Sequence, residues 1–462
     1  MGKTSITNTL ENLRYHIKTY GCQMNFSDSE RLSGLLESYG YKNTEDIKNA
    51  SLVIFNTCSI KQKAEDKVLG SMKIVAKLKK DNPDLLIGIT GCMTRVPSTK
   101  NSEDKDKLFK LLKDLDVCFP IKDLTKLPSL LKDIKPELAE FETQEADLNN
   151  YFKIQPKYKT SFQAYIPIMT GCDKFCTYCI VPYSRGREVS RPILDIINEA
   201  KKLVSEGCIE LTLLGQNVNS YGLSWTDQKS GNFSYEENPF VQLLKAVDKI
   251  EGLQRLRFTS PHPQDMKHDV VDFIAESKTI MPCLHMPLQS GSDYILKKMN
   301  RNYNSQQFKE SIEYIRKKIP GCSITTDMIV GFCGETDEYF QESKAFFKEM
   351  CFDLAFISQY STRKGTVAGM LKKDDVPKEV KSKRWHEMND LLRETSFINN
   401  KKFKDKTVKV LVEKFSERSQ KLHGRSEHFK EVVFEGPQDL IGKIVEVKVN
   451  NVLEWLLEGS LV

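Results

Sequence analysis

No apolar run in the 462 residues approaches the ~18 that a membrane span requires. The amino terminus, MGKTSITNTLENLRY, has no apolar stretch of the kind a secretory leader carries. Both lacks exclude secretion and membrane insertion and predict a cytoplasmic protein with no membrane partner. Lipid anchoring at Gly2 is disfavoured too, because Ile6 stands where a myristoylation site has Ser or Thr. The Gly-Lys-Thr at 2–4 lacks the upstream glycine and strand of a phosphate loop. Strong charge of one sign is also missing: the net charge is only +6. It is unevenly placed, since residues 361–430 hold 19 Lys and Arg against 10 Asp and Glu, which leaves the rest of the chain slightly acidic. A polyanionic partner for the carboxyl-terminal part is one reading of that run, and a solvated charged helix is the other.

Cysteine, by contrast, is plentiful. Twelve thiols in a chain that stays in a reducing compartment point to metal or redox chemistry rather than to disulfides. In the first segment the pattern alternates between strand and helix: Tyr15 to Tyr20 extended, Ser27 to Tyr39 helical, Leu52 to Phe55 extended, Gln62 to Lys79 helical, Leu85 to Thr90 extended. That order predicts a parallel sheet covered by helices. Each strand runs into a cysteine, at Cys22, Cys58 and Cys92. Parallel strands finish at one edge, so the three thiols should converge, either as ligands or as small buried hydrophobes.

A polar stretch with Pro136 and Pro156 reads as a linker. From Ala164 the alternation resumes, with extended runs at Ala164–Met169, Glu210–Leu214, Arg255–Thr259, Cys283–Pro287, Ser323–Val330 and Leu354–Tyr360. Six such units fit a partial β/α barrel with its site at the carboxyl ends of the strands. After a charged helix at Lys378–Asn399 come short valine-rich runs, which predict a small all-β barrel.

Just after the first barrel strand, Cys172, Cys176 and Cys179 are spaced C-x3-C-x2-C. Three thiolates on one short loop suit an iron-sulfur cluster. A zinc site would want a fourth ligand, and no further Cys or His lies within twenty residues on either side. A cube held by three protein ligands keeps one iron open to an amino acid's amine and carboxylate.

This loop resembles the signature of the radical S-adenosylmethionine (SAM) superfamily. YGCQMN (20–25), NTCSI (56–60), GCDKFCTYCIVPYSRG (171–186), LLGQNVNSY (213–221), SPHP (260–263), HMPLQSGS (285–292) and TTDMIVGF (325–332) resemble its methylthiotransferase family. The likeness runs from about Tyr15 to the carboxyl terminus, where LHGRS (422–426) and the closing strands resemble an RNA-binding TRAM domain. The resemblance implies an α/β chain in four parts: a parallel methylthiotransferase domain over 14–132, a linker over 133–157, a radical SAM core over 158–398 and a TRAM domain over 399–462. It implies two 4Fe-4S clusters, the SAM-cleaving one on Cys172, Cys176 and Cys179 and a sulfur-donating one on Cys22, Cys58 and Cys92. Two SAM molecules per turnover would serve as radical source and methyl donor, with Gln216, Asn217 and Gln289 as candidate SAM contacts. The implied partners are a tRNA anticodon stem-loop and a low-potential electron donor such as flavodoxin or ferredoxin.

Within that family Gln23-Met24-Asn25 favours the branch acting on isopentenylated adenosine, over branches acting on threonylcarbamoyladenosine or a ribosomal-protein aspartate. A non-catalytic iron-sulfur RNA-binding sensor is the rival of another class. The sequence departs from the family pattern at FCGET (332–336), where Cys333 replaces a proline, and at YSTRKGTVA (360–368), which lacks three prolines. Arg185, Arg187 and Arg191 follow the cysteine loop and fit a solvated face as well as phosphate or SAM contacts. Arg425 and the lysines from Lys401 to Lys414 are candidate phosphate contacts. The remaining six cysteines, Cys118, Cys208, Cys283, Cys322, Cys333 and Cys351, read as core or loop residues.

Overall fold

The structure, a computed structural model, describes residues 13–58, 62–94, 112, 114–136, 151–224 and 237–462. The first twelve residues and most of the polar linker, 137–150, lie outside the described residues. The chain forms two compact units, one comprising residues up to 159 with 170–174 and 179–191, the other 160–169, 175–178 and 192–462.

In the first unit, β1 (Arg14–Thr19), β2 (Lys42–Asn43), β3 (Leu52–Thr57), β4 (Leu86–Gly91) and β5 (Val117–Cys118) form one parallel sheet in the order β2-β1-β3-β4-β5. Strands β3 and β4 are buried along their whole length, as central parallel strands are when helices cover both faces. The period of two sorts their side chains. Leu52 and Ile54 pack with Leu32, Leu35 and Leu36 of the helix Gln23–Ser38, and Val53 and Phe55 pack on the other face with Val68, Met72 and Val75 of the helix Gln62–Asp81. The first helix starts four residues before the sequence-based expectation, immediately after Cys22.

In the second unit β6 (Gln163–Pro167) leads into the cysteine loop; the two-residue strands β7 (Met169–Thr170) and β8 (Val189–Ser190) flank that loop, β8 on a stretch that belongs to the first unit. Strands β9 (Glu210–Leu214) and β10 (Arg255–Phe258) complete one three-stranded parallel sheet in the order β10-β9-β6. β11 (Cys283–His285), β12 (Ser323–Val330) and β13 (Leu354–Gln359) form a second, also parallel. A parallel bridge between Leu256 and Ile280 joins the two halves, giving six strands in sequence order, the predicted partial barrel. Among the described residues no helix is long and apolar enough to cross a membrane.

The tail is a closed five-stranded barrel, ordered β14 (Thr407–Ser416), β15 (Lys421–Ser426), β16 (Glu431–Glu435), β18 (Leu456–Leu461) and β17 (Ile444–Val452). Val410, Val412, Leu422, Val432, Phe434, Val447 and Leu457 fill it. Strand β15, which holds LHGRS, is the one the sequence pattern did not resolve. A side chain at Gly424 would meet the Leu411 carbonyl oxygen at 2.2 Å, so the motif's glycine permits the close strand crossing.

This tail barrel seats on the amino-terminal edge of the six-stranded barrel. Arg255, the first residue of β10, donates to the carbonyls of Arg425 (2.9 Å) and Lys409 (3.0 Å). Arg257 donates to the carbonyls of Ser426 (3.0 Å) and Glu427 (3.2 Å) and to Glu210 (3.1 Å). Lys430 pairs with Asp353, just before β13, at 2.7 Å. Both arginines and Glu210 are buried.

Candidate functional site

The strand ends of the first sheet bring Cys22, Cys58 and Cys92 to one edge. Tyr20 donates from its backbone N–H to the Asn56 carbonyl at 2.8 Å, and Cys92 donates to the Thr57 carbonyl at 2.8 Å. A side chain at Gly21, whose φ is +131°, would meet Cys58 Cβ at 2.7 Å. Only glycine lets the Cys22 loop close onto Cys58. Cys58 and Cys92 are buried, and Cys22 reaches the surface as the residue capping the helix Gln23–Ser38. A helix N-terminus favours the thiolate that a metal needs.

Asn25 ties this edge together. Its Oδ1 accepts from the Cys22 thiol (3.3 Å) and backbone N–H (3.4 Å), and its Nδ2 donates to Asn56 Oδ1 and the Thr57 carbonyl, both at 3.0 Å. Asn56 returns a bond to the Asn25 carbonyl at 2.7 Å and reaches Ser29 at 2.9 Å. Met24 and Asn25 are buried, so of the QMN tripeptide only Gln23 retains partial exposure.

Arg185 belongs to the same unit, and here the structure corrects the solvated-face reading. It is 3% exposed and pairs with the fully buried Asp28 at 2.6 Å, while Tyr151 donates to the other Asp28 oxygen at 2.6 Å. Burial penalises the guanidinium charge, and Asp28, Cys92 and Cys22 in that order favour it. Surrounding protein raises the Cys22 thiol pKa, Arg185 pulls it down, and Cys92 pushes it up. Arg191 is buried as well, over the Phe152 ring, whereas Arg187 is largely exposed and pairs with Asp173.

On the cysteine loop, Cys172 donates its backbone N–H to the Gly186 carbonyl at 3.2 Å. Phe175 adopts a left-handed conformation, φ 47°, and the Lys298–Arg301 turn pins the segment after it: Thr177 bonds to the Met299 carbonyl (3.0 Å) and the Lys298 carbonyl (3.0 Å), and Asn300 to the Phe175 carbonyl (3.1 Å). Arg301, buried and anchored on the Pro287 carbonyl (2.8 Å), points NH1 at the Cys176 sulfur, 3.4 Å away. Sequence reasoning missed Arg301, whose only local signal is a basic residue in a loop. Among the described residues no three thiols, imidazoles or carboxylates are already gathered as metal ligands. The donor chemistry nevertheless fits a cluster, with thiols on a stiffly held loop and a guanidinium aimed at one sulfur.

Gln216 and Asn217 directly follow β9, as the sequence placed them. Gln216 Oε1 is buried with no donor in reach among the described residues, a polar atom suited to a bound cofactor. Asn217 donates to Asp265 at 3.0 Å. Gln289 has a left-handed backbone, φ 72°, and extends the β12 ladder through bonds to the Asp327 carbonyl and the Ile329 N–H. His285, the first residue of HMPLQSGS, ends β11 and is held by Thr325 (2.9 Å) and Asp327 (3.3 Å), partly exposed.

The loops lacking prolines are fixed by other means. Glu335 accepts from the Gly331 N–H (2.6 Å) and from Arg384 (2.9 Å), Lys381 donates to the Tyr360 carbonyl (3.1 Å), and Cys333 packs with Phe332, Tyr360 and Ala368. Cys118, Cys208 and Cys322 are buried, and Cys283 and Cys351 partly so, as expected of core and loop residues.

Three family models match the chain: the Radical SAM superfamily over residues 166–347, Uncharacterized protein family UPF0004 over 14–116 and the TRAM domain over 401–462. A protein of Clostridium tetani (strain Massachusetts / E88) named tRNA-2-methylthio-N(6)-dimethylallyladenosine synthase is 42% identical over 450 residues, 96% of each chain. One of the same name from Bacillus velezensis is 39% identical over 456 residues, 98% of this chain and 86% of that one. Among solved structures, the radical S-adenosylmethionine methyltransferase TsrM from Kitasatospora setae superposes with a TM-score of 0.55 at 13% identity, over 78% of this chain and 75% of that one, a likeness of fold.

Proposed function

Because the chain belongs to the tRNA-2-methylthio-N(6)-dimethylallyladenosine synthase family, we propose that it transfers a methylthio group to carbon 2 of N(6)-dimethylallyladenosine beside the anticodon of tRNA. Replacing hydrogen on an electron-poor ring carbon is beyond any side chain's basicity or nucleophilicity, so cofactors must carry it. The observation that supports the reading most is that one chain carries both a C-x3-C-x2-C loop and a second set, Cys22, Cys58 and Cys92, at one sheet edge. In this reading Cys172, Cys176 and Cys179 hold one 4Fe-4S cluster and Cys22, Cys58 and Cys92 a second. When bound, the first with SAM supplies a 5′-deoxyadenosyl radical, and the second supplies the sulfur that a further SAM methylates.

The chain's own residues hold and orient these groups. Arg301 donates toward the Cys176 sulfur, which stabilises added negative charge there. Asn25 fixes the Cys22 loop against the Cys58 strand. Gln216, Asn217 and Gln289 stand at the carboxyl ends of the barrel strands, where SAM would bind. We assign 14–132 to sulfur delivery, 133–157 to a linker, 158–398 to the radical core and 399–462 to RNA docking. The electrons would come from a low-potential cytoplasmic donor of the flavodoxin or ferredoxin class.

The test is anaerobic reconstitution of the full chain, expected to give about eight irons per chain. The Cys172→Ala, Cys176→Ala, Cys179→Ala variant should keep one cluster and lose SAM cleavage. The Cys22→Ala, Cys58→Ala, Cys92→Ala variant should still form 5′-deoxyadenosine and make no methylthiolated nucleoside. Deoxyadenosine from the first variant, or methylthio product from the second, overturns the assignment.

A further inference from the structure

Arg185 is buried, charged and absent from the set of ligands, and three contacts define its place. Its NH2 pairs with Asp28 Oδ2 at 2.6 Å, on the helix that Cys22 caps. The next residue, Gly186, accepts the backbone bond from Cys172 at 3.2 Å. Tyr151 secures the other Asp28 oxygen at 2.6 Å, so the carboxylate cannot turn away. A buried ion pair is costly to build and is weak evidence for stability by itself. Here it connects the helix headed by Cys22 to the residue beside Gly186, within one compact unit.

Resting on the reading of Cys22, Cys58 and Cys92 as cluster ligands, we propose that Arg185 is a positioning residue with an electrostatic role: it sets a buried positive charge beside that cysteine set and, through Asp28 and Gly186, fixes the set relative to Cys172. The fields that act on Arg185 agree with this placement, since Cys92 and Cys22 both favour its charge. A nearby cation stabilises the more negative, reduced form of a cluster and raises its potential, and Asp28 partly cancels the cation. The two partners of the pair therefore act on the cluster with opposite signs. A unit charge about 10 Å from a redox centre, at an effective dielectric of about 20, changes the reduced-to-oxidised ratio about tenfold.

The experiment is a potentiometric titration of the reconstituted full-length protein, followed by electron paramagnetic resonance with and without SAM. The signal that does not respond to SAM reports the cluster on Cys22, Cys58 and Cys92. Arg185→Met should make that centre harder to reduce, with an about tenfold lower reduced-to-oxidised ratio at the wild-type midpoint. Asp28→Asn should make it easier to reduce, and Arg185→Lys should stay near wild type. A strut with no electrostatic role moves both variants the same way, because each breaks the same pair. Shifts of one sign in Arg185→Met and Asp28→Asn, or no shift in either, overturn the proposal. Should Arg185→Met fail to fold, the near-isosteric Asp28→Asn decides: a midpoint at or below that of wild type refutes the electrostatic role. A wild-type protein with no SAM-insensitive signal refutes the ligand reading itself, which is a separate result.

Discussion

Arg257 offers the sharpest test of how the tail is held. Its guanidinium serves four groups at once: Glu210 at 3.1 Å, the carbonyls of Ser426 and Glu427 at 3.0 and 3.2 Å, and the Phe429 ring, 5.1 Å from centroid to guanidinium. Removing one partner of a buried ion pair costs about 3–5 kcal/mol. Glu210 keeps Gln163 at 3.0 Å and Arg255 at 3.7 Å, which places Arg257→Ala near the low end, about 3 kcal/mol. Both carbonyls come from the tail, so the loss falls mainly on its docking. At 1.4 kcal/mol per tenfold, the undocked population should rise about a hundredfold. Native-state proteolysis at low protease reads that population, because cleavage then follows the opening equilibrium. Arg257→Lys keeps a charge near Glu210 but cannot bridge three acceptors, so it should fall between wild type and alanine. An Arg257→Ala protein whose tail is cleaved less than about fivefold faster would show that these bonds do not hold the tail.

Other expectations follow from single contacts. Asn25→Ala removes the bonds to the Cys22 thiol, Asn56 and Thr57, so iron should fall toward four per chain while SAM cleavage persists, measured by iron assay and deoxyadenosine yield. Arg301→Met takes the guanidinium from the Cys176 sulfur, and the SAM-responsive centre should become harder to reduce in the same titration. Deleting 401–462 strips acceptors from buried Arg255 and Arg257 and the cation from Asp353, so the truncated chain should be unstable and iron-poor by circular dichroism and iron content. Lys409→Gln with Lys448→Gln, both on exposed positions of the tail barrel, should instead leave folding intact and make the salt dependence of tRNA affinity shallower by up to about two units of slope.

What was legible in the sequence was whatever depends on local period. The strands Glu210–Leu214 and Ser323–Val330 end where the apolar runs end, and Cys22, Cys58 and Cys92 share an edge because parallel strands must finish together. The early start of the helix after Cys22 was hidden because its cap is a cysteine, outside the usual Ser, Thr, Asp and Asn signal. Strand β15 was hidden because its inward positions are Leu422, Gly424 and Ser426, of which only one is a large apolar residue. Arg185 and Arg301 were illegible for another reason. Their partners Asp28 and Cys176 lie 157 and 125 positions away, so nothing in the local pattern separates a buried, paired arginine from a solvated one.

The position of the tail constrains how RNA could meet the enzyme under the proposed reading. The bonds that seat it come from Arg255 and Arg257 at the start of β10 and from Lys430 on Asp353 just before β13, which are amino-terminal strand positions. Gln216 stands at the opposite end of β9, a strand of five residues spanning about 17 Å. The LHGRS strand gives its backbone to this seat and its arginine side chain to the tail itself: the Arg425 carbonyl accepts from Arg255, and its guanidinium lies 3.8 Å from both Glu413 on β14 and Glu431 on β16. Arg425 is therefore a poor candidate for a phosphate contact, contrary to the expectation from the sequence, and the outward lysines of β14 and β17 are better ones. A tRNA reaching both those lysines and the carboxyl end of the barrel must extend well beyond one nucleotide. Under the proposed reading the tail would govern affinity through a part of the RNA remote from the modified base and the cysteine loops would govern chemistry, so substitutions in the two places should separate binding from turnover.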